Sequence, residues 1–75
     1  MKDLIDYIAR GLVDNPDAVV VDEQRDGNTV YLQLQVAEGE LGRVIGKDGK
    51  LANAMRTLLR LGSRRGKRVV LDIGD

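Results

Sequence analysis

The chain has 75 residues, with twelve Lys or Arg against twelve Asp or Glu, nine Gly, one Pro, and neither Cys nor His. That length allows one small domain, and without Cys or His there are no disulfides, no thiolate metal sites, no Cys nucleophile and no imidazole base or ligand. Most hydrolase and metalloenzyme chemistries are thereby excluded, and a formal net charge of zero, taken alone, argues against a nucleic-acid partner.

Leu4, Ile5, Ile8, Leu12 and Val13 recur at helical spacing, with Asp3 and Asp6 in the first turn where the helix dipole favours acids. This predicts a first amphipathic helix, stopped at Asn15-Pro16 because Pro16 lacks the amide that would continue the ladder. Ala18 to Gln24 is Val-rich and reads as a strand; Arg25-Asp26-Gly27-Asn28 is turn chemistry, joining it to the next strand as a hairpin. In that next strand Val30, Leu32, Leu34 and Val36 alternate with Thr29, Tyr31, Gln33 and Gln35, so one face is buried and the other polar.

From Glu38 the period changes. A short helix is expected from Glu38 to Ile45, ending at Gly46, and a longer one from Lys50 to Leu61. On a helical wheel Leu51, Met55, Leu58, Leu59 and Gly62 form the apolar arc of the longer helix, opposite Asn53, Arg56, Arg60 and Arg64. Arg56 and Arg60 read first as a solvated stripe. Residues 62–68 read as a basic loop, and Val69 to Ile73 as a last strand. The hairpin makes the first two strands antiparallel, while the two-helix crossover allows the third to lie parallel to the second on a right-handed path. Three helices then cover one face of a three-stranded mixed sheet, and the face carrying Tyr31, Gln33 and Gln35 stays open.

The zero total hides a partition. Residues 1–42 sum to −6, whereas residues 43–68 set nine bases against Asp48 alone and sum to +8. Such asymmetry signals an anionic partner, or a solvated helix face paired with acids elsewhere. The basic part contains Gly46-Lys47-Asp48-Gly49, where two glycines let the backbone turn tightly and approach a ligand. The amides at the start of the longer helix, with Lys47 and Lys50 beside them, make a candidate cradle for phosphate. The bare pattern also fits a helix cap and a turn. A Walker A loop fails: Gly42 to Asp48 is one residue short, with Asp48 where Ser or Thr belongs. The dinucleotide G-x-G-x-x-G spacing fails too, and Ser63 has no His to activate it. No constellation supports catalysis. No run of apolar residues approaches the ~20 needed to span a bilayer, and the acidic N-terminus does not read as a signal peptide. A soluble, cytoplasmic protein without metal, cofactor or small-molecule substrate is expected.

The order of elements, with Val44-Ile45-Gly46-Lys47-Asp48-Gly49 between two helices and a strand after them, resembles a type II KH domain. The resemblance covers essentially all of residues 1–75 as a single domain, and it extends to small bacterial KH proteins that bind RNA. The family's V-I-G-[KR]-x-G signature is matched at Val44, Ile45, Gly46, Lys47 and Gly49, with Asp48 as an acid inside the loop. The resemblance implies an α+β fold of order α-β-β-α-α-β and a cleft that grips about four unpaired nucleotides. By carry-over, Gly46 to Gly49 form the clamp, Arg43 and Lys50 flank it, and Arg64, Arg65, Lys67 and Arg68 make the opposite lip. Leu51, Ala52 and Ala54 or Met55 supply aliphatic floor. With only Tyr7 and Tyr31 as aromatics, the stacking platform of other RNA-binding folds is poorly provided for. The resemblance further implies a homodimer, pairing with a second KH-domain protein, RNA chaperoning, and a part in cell shape and cell-wall synthesis. The rival reading is a protein-interaction module with a KH fold and little RNA affinity of its own.

Overall fold

The computed structural model describes residues 1–63 and 66–74. Its elements run α1 (Lys2–Leu12), β1 (Val20–Asp26), β2 (Thr29–Gln35), α2 (Leu41–Ile45), α3 (Lys50–Gly62) and β3 (Arg68–Gly74), with 3₁₀ turns at Pro16–Ala18 and Lys47–Gly49. This is the α-β-β-α-α-β order of a type II KH fold. β2 is the central strand, antiparallel to β1 and parallel to β3, so that Leu32 lies between Glu23 and Leu71 and Gln33 between Asp22 and Asp72.

The period-two pattern of β2 decides which face is covered. Val30, Leu32 and Leu34 are buried together with Val21 and Leu71 from the flanking strands. Onto this face pack Ile5 and Ala9 of α1, Val44 of α2, and Met55 and Leu59 of α3. Removing each of these larger side chains from water contributes about 1.5–3 kcal/mol, and in so small a core few of them are expendable. Tyr31, Gln33 and Gln35 stay exposed on the opposite face, as the alternation predicts.

Several details differ from the sequence reading, each for a local reason. β1 starts at Val20 rather than Ala18 because Pro16–Ala18 closes a 3₁₀ turn, held by Arg10 donating to the carbonyls of Pro16 (2.9 Å) and Val19 (3.5 Å). α2 begins at Leu41 rather than Glu38, since Gly39 sits at φ +87° and Glu40 is needed for another task. The Glu40 side chain is buried and its carboxylate accepts from the amides of Asp14 (2.6 Å) and Asn15 (3.3 Å), fastening the chain after α1 to the start of α2. The apolar arc of α3 is also rotated. Ala52, Met55 and Leu59 are buried, whereas Leu51 and Leu58 are 38% and 45% exposed. Leu4 of α1 is likewise exposed while Ala9 is enclosed.

Candidate nucleic-acid interface

The segment between α2 and α3 has a backbone shape that its residues dictate. Gly46, at φ 76° and ψ 175°, occupies a region open only to glycine. A Cβ there would also come within 2.7 Å of Leu51 Cγ. Gly49 is left-handed at φ 77°, ψ 12°, and Asp48 between them is left-handed too, at φ 57°, ψ 24°. The Gly46 amide donates to the Gly42 carbonyl (2.9 Å) and the Gly49 amide to the Gly46 carbonyl (3.2 Å). Among the described residues the amides of Lys47 and Asp48 have no main-chain acceptor. They lie at the N-terminal end of a thirteen-residue helix, with the Lys47 and Lys50 side chains exposed beside them. Open amides, a helix dipole and two ammonium groups together suit a phosphate.

A groove of about 420 Å³ runs between α3 and β3, lined by Arg56, Arg60, Ser63, Lys67, Arg68, Val69, Val70 and Leu71. Among the described residues no carboxylate lines it. Arg56 Nη2 donates to the Leu71 carbonyl (3.2 Å), which covers an acceptor of the outer strand and fixes the guanidinium against the groove wall. Arg56 and Arg60 are both exposed, as a solvated stripe would be, and the turn of α3 that buries Met55 and Leu59 places both along this groove beside β3. Asn53, on the same side of α3, lies 3.8 Å from where a Cβ of Gly49 would stand, so this side is continuous with the glycine loop.

The order of elements agrees with what comparison with known proteins finds. Residues 2–73 match the family model described as KhpA/KhpB, KH domain. The chain belongs to the KhpA/KhpB KH-domain family. It is similar to the RNA-binding protein KhpA of Aquifex aeolicus, 49% identical over 97% of this chain and 94% of the relative. The RNA-binding protein KhpA of Caldanaerobacter subterraneus is 43% identical over 97% and 99% of the two chains. That of Chlamydia trachomatis is 42% identical over 97% and 95%. No solved structure matches the chain.

In this member of the KhpA/KhpB family the residues singled out in the sequence fall into groups. Gly46, Lys47, Asp48, Gly49 and Lys50 form the loop, and Lys67 and Arg68 reach the groove from its far end. Arg64 and Arg65 lie outside the described residues. Arg43 is exposed but paired with Asp14 (3.0 Å), on the side of α2 that meets the chain after α1. Val44 is fully enclosed in the core and Ile45 is half-buried, so Val44 holds the loop from beneath and presents no surface to a ligand. Leu51 packs on Gly46, and the exposed Ala54 lies on the helix side away from Arg56, next to exposed Leu58 and Leu61. Met55 and Ala52 are buried. Ser63, Arg56 and Arg60 were outside the sequence-based set, although the grouping of Asn53, Arg56 and Arg60 on one arc ending at the basic loop carried the signal. Among the described residues no three His, Cys, Asp or Glu side chains converge as a metal site requires, and no helix is long and apolar enough to cross a membrane.

Proposed function

We propose that this chain is a non-catalytic RNA-binding protein that clamps a short single-stranded stretch between the Gly46–Gly49 loop and the α3–β3 groove. The observation that carries this reading is the conjunction of free Lys47 and Asp48 amides at the start of α3 with a groove that, among the described residues, holds four cationic side chains and no acid. The loop takes the sugar-phosphate backbone, and the groove takes what projects from it. Relatives named RNA-binding proteins over nearly the whole chain support the same conclusion. Replacing Lys47 by Asp tests it: Lys47→Asp is expected to abolish crosslinking to a single-stranded RNA while the circular dichroism spectrum stays unchanged. Survival of binding in that variant sinks the clamp.

A second reading concerns assembly. The exposed Leu58 and Leu61 share one side of α3 with Leu51 and Ala54, away from the groove, and Leu61 is 78% exposed. Such a stripe suits self-association or pairing with another KH-domain protein, and leaves the RNA cleft free. The RNA-chaperone role and the part in cell shape and cell-wall synthesis, in the cytoplasm, rest on the family resemblance.

A further inference from the structure

The open face of the sheet carries side chains that the helices leave uncovered. The register sets them in rows across the three strands, with Asp22, Gln33 and Asp72 in one row and Gln24, Tyr31 and Val70 in the next. A shallow cavity of about 380 Å³ lies over these two rows. Both Asp22 and Asp72 are exposed and, among the described residues, neither has an ion-pair partner, since the paired bases Arg10, Arg25 and Arg43 meet Asp6, Glu23 and Asp14. Arg68, the one base on the same side of the pleat, stands opposite Thr29, about 13 Å along β3 from Asp72, and lines the groove beside α3. The face is therefore left with uncompensated negative charge.

With strands about 4.8 Å apart, the Asp22 and Asp72 positions stand about 10 Å from each other across Gln33. That spacing suits two separate cations better than one metal ion shared at the ~2.3–2.6 Å of a carboxylate ligand. Tyr31 lies diagonal to both acids and is 46% exposed, so its ring can receive a guanidinium on its face, with Val70 beside it to pack against the aliphatic stem. Arginine fits this set better than lysine, because its planar fork both pairs with carboxylates and stacks on an aromatic ring. Eight residues line the cavity, against roughly 20–30 on each side of a stable interface between folded proteins. A short segment matches the cavity's size; a folded partner does not. We propose that the open sheet face is a docking site for an unstructured, arginine-containing segment of a partner protein, with its guanidinium groups taken by Asp22 and Asp72 and by the ring of Tyr31. Val70 and Leu71 of β3 separate this cavity from the α3 groove and border both, and the proposal stands whether or not the groove holds RNA.

The experiment titrates the isotope-labelled whole chain, without RNA, with an eight-residue glycine and serine peptide carrying two arginines three positions apart. In the polyproline II conformation those arginines share one side of the peptide about 9 Å apart. NMR shifts are expected at Asp22, Gln24, Tyr31, Gln33, Val70 and Asp72. The same peptide with glutamine in place of each arginine is expected to produce none. Asp22→Asn combined with Asp72→Asn is expected to weaken the arginine peptide about fivefold or more, the sum of two exposed charge pairs, and Tyr31→Leu about threefold. These positions are exposed, and circular dichroism checks that each variant keeps the fold. Absence of binding, shifts spread over the acids of α1, or an affinity unaltered in the Asp22→Asn and Asp72→Asn variant would overturn the proposal. Shifts on this face that grow with protein concentration in the absence of peptide would overturn it too, by assigning the face to a second copy of the chain.

Discussion

Asp48 occupies the one non-glycine position among the described residues with positive φ. Left-handed backbone costs most L-residues about 1–2 kcal/mol, and Asp and Asn are among the few that enter it readily. The acid in a phosphate-facing loop thus has a conformational reason, independent of any ligand. Asp48→Asn keeps that backbone preference and removes a negative charge beside Lys47 and Lys50. It is expected to leave the melting temperature unchanged and to tighten RNA binding at low salt by roughly fivefold, corresponding to ~1 kcal/mol of charge repulsion at the loop. The gain should shrink as salt is raised. Titration of the variant and its parent against one RNA at two salt concentrations measures this. Gly46 has no such latitude, since its backbone region and the nearness of Leu51 each forbid a Cβ.

At the scale of elements, α3 has three sides with separate tasks. Ala52, Met55 and Leu59 face the sheet, Arg56 and Arg60 face β3, and Leu51, Leu58 and Leu61 remain uncovered. If the uncovered side mediates assembly, Leu58→Glu is expected to shift light scattering from dimer to monomer across a concentration series, with RNA binding per chain retained. A scattering mass unaffected by Leu58→Glu would remove this side from assembly. The existence and start of α3 were legible from its period and from Gly49. Its orientation was not, because a wheel ranks side chains by apolarity, whereas close packing on the sheet favoured small Ala52 and placed Leu51 against Gly46. Glu40 was illegible for a different reason. Its partners, the amides of Asp14 and Asn15, stand about 25 residues earlier in the chain, and no local pattern marks a carboxylate that accepts from a distant loop. Glu40→Ala leaves those two amides without their acceptor and is expected to cost about 1–3 kcal/mol in urea denaturation. The pairing of β1 with β2, by contrast, followed directly from the hairpin turn, and the parallel β3 agrees with what the two-helix crossover allows.

Over the whole molecule the neutral total resolves into faces of opposite character. Asp22 and Asp72 flank Gln33 on the open side of the sheet, while Lys47, Lys50, Arg56, Arg60, Lys67 and Arg68 gather along α3 and its two ends. The open sheet face holds a shallow cavity of about 380 Å³ bounded by Asp22, Tyr31, Gln33 and Asp72, whose charge repels a nucleic acid. Segregation of this kind steers an anion to one side without the indiscriminate attraction of a uniformly basic surface. The alternation of β2 and the partition of charge along the chain already pointed to two unlike faces; which arginines meet the groove depended on how far α3 is rotated. The most direct test of the cleft is an NMR titration of the labelled protein with a short single-stranded RNA. Shifts confined to Gly46–Lys50, Asn53, Arg56, Arg60 and Lys67–Leu71 are the predicted result, and shifts centred on Val20, Asp22, Tyr31 and Gln33 would contradict it.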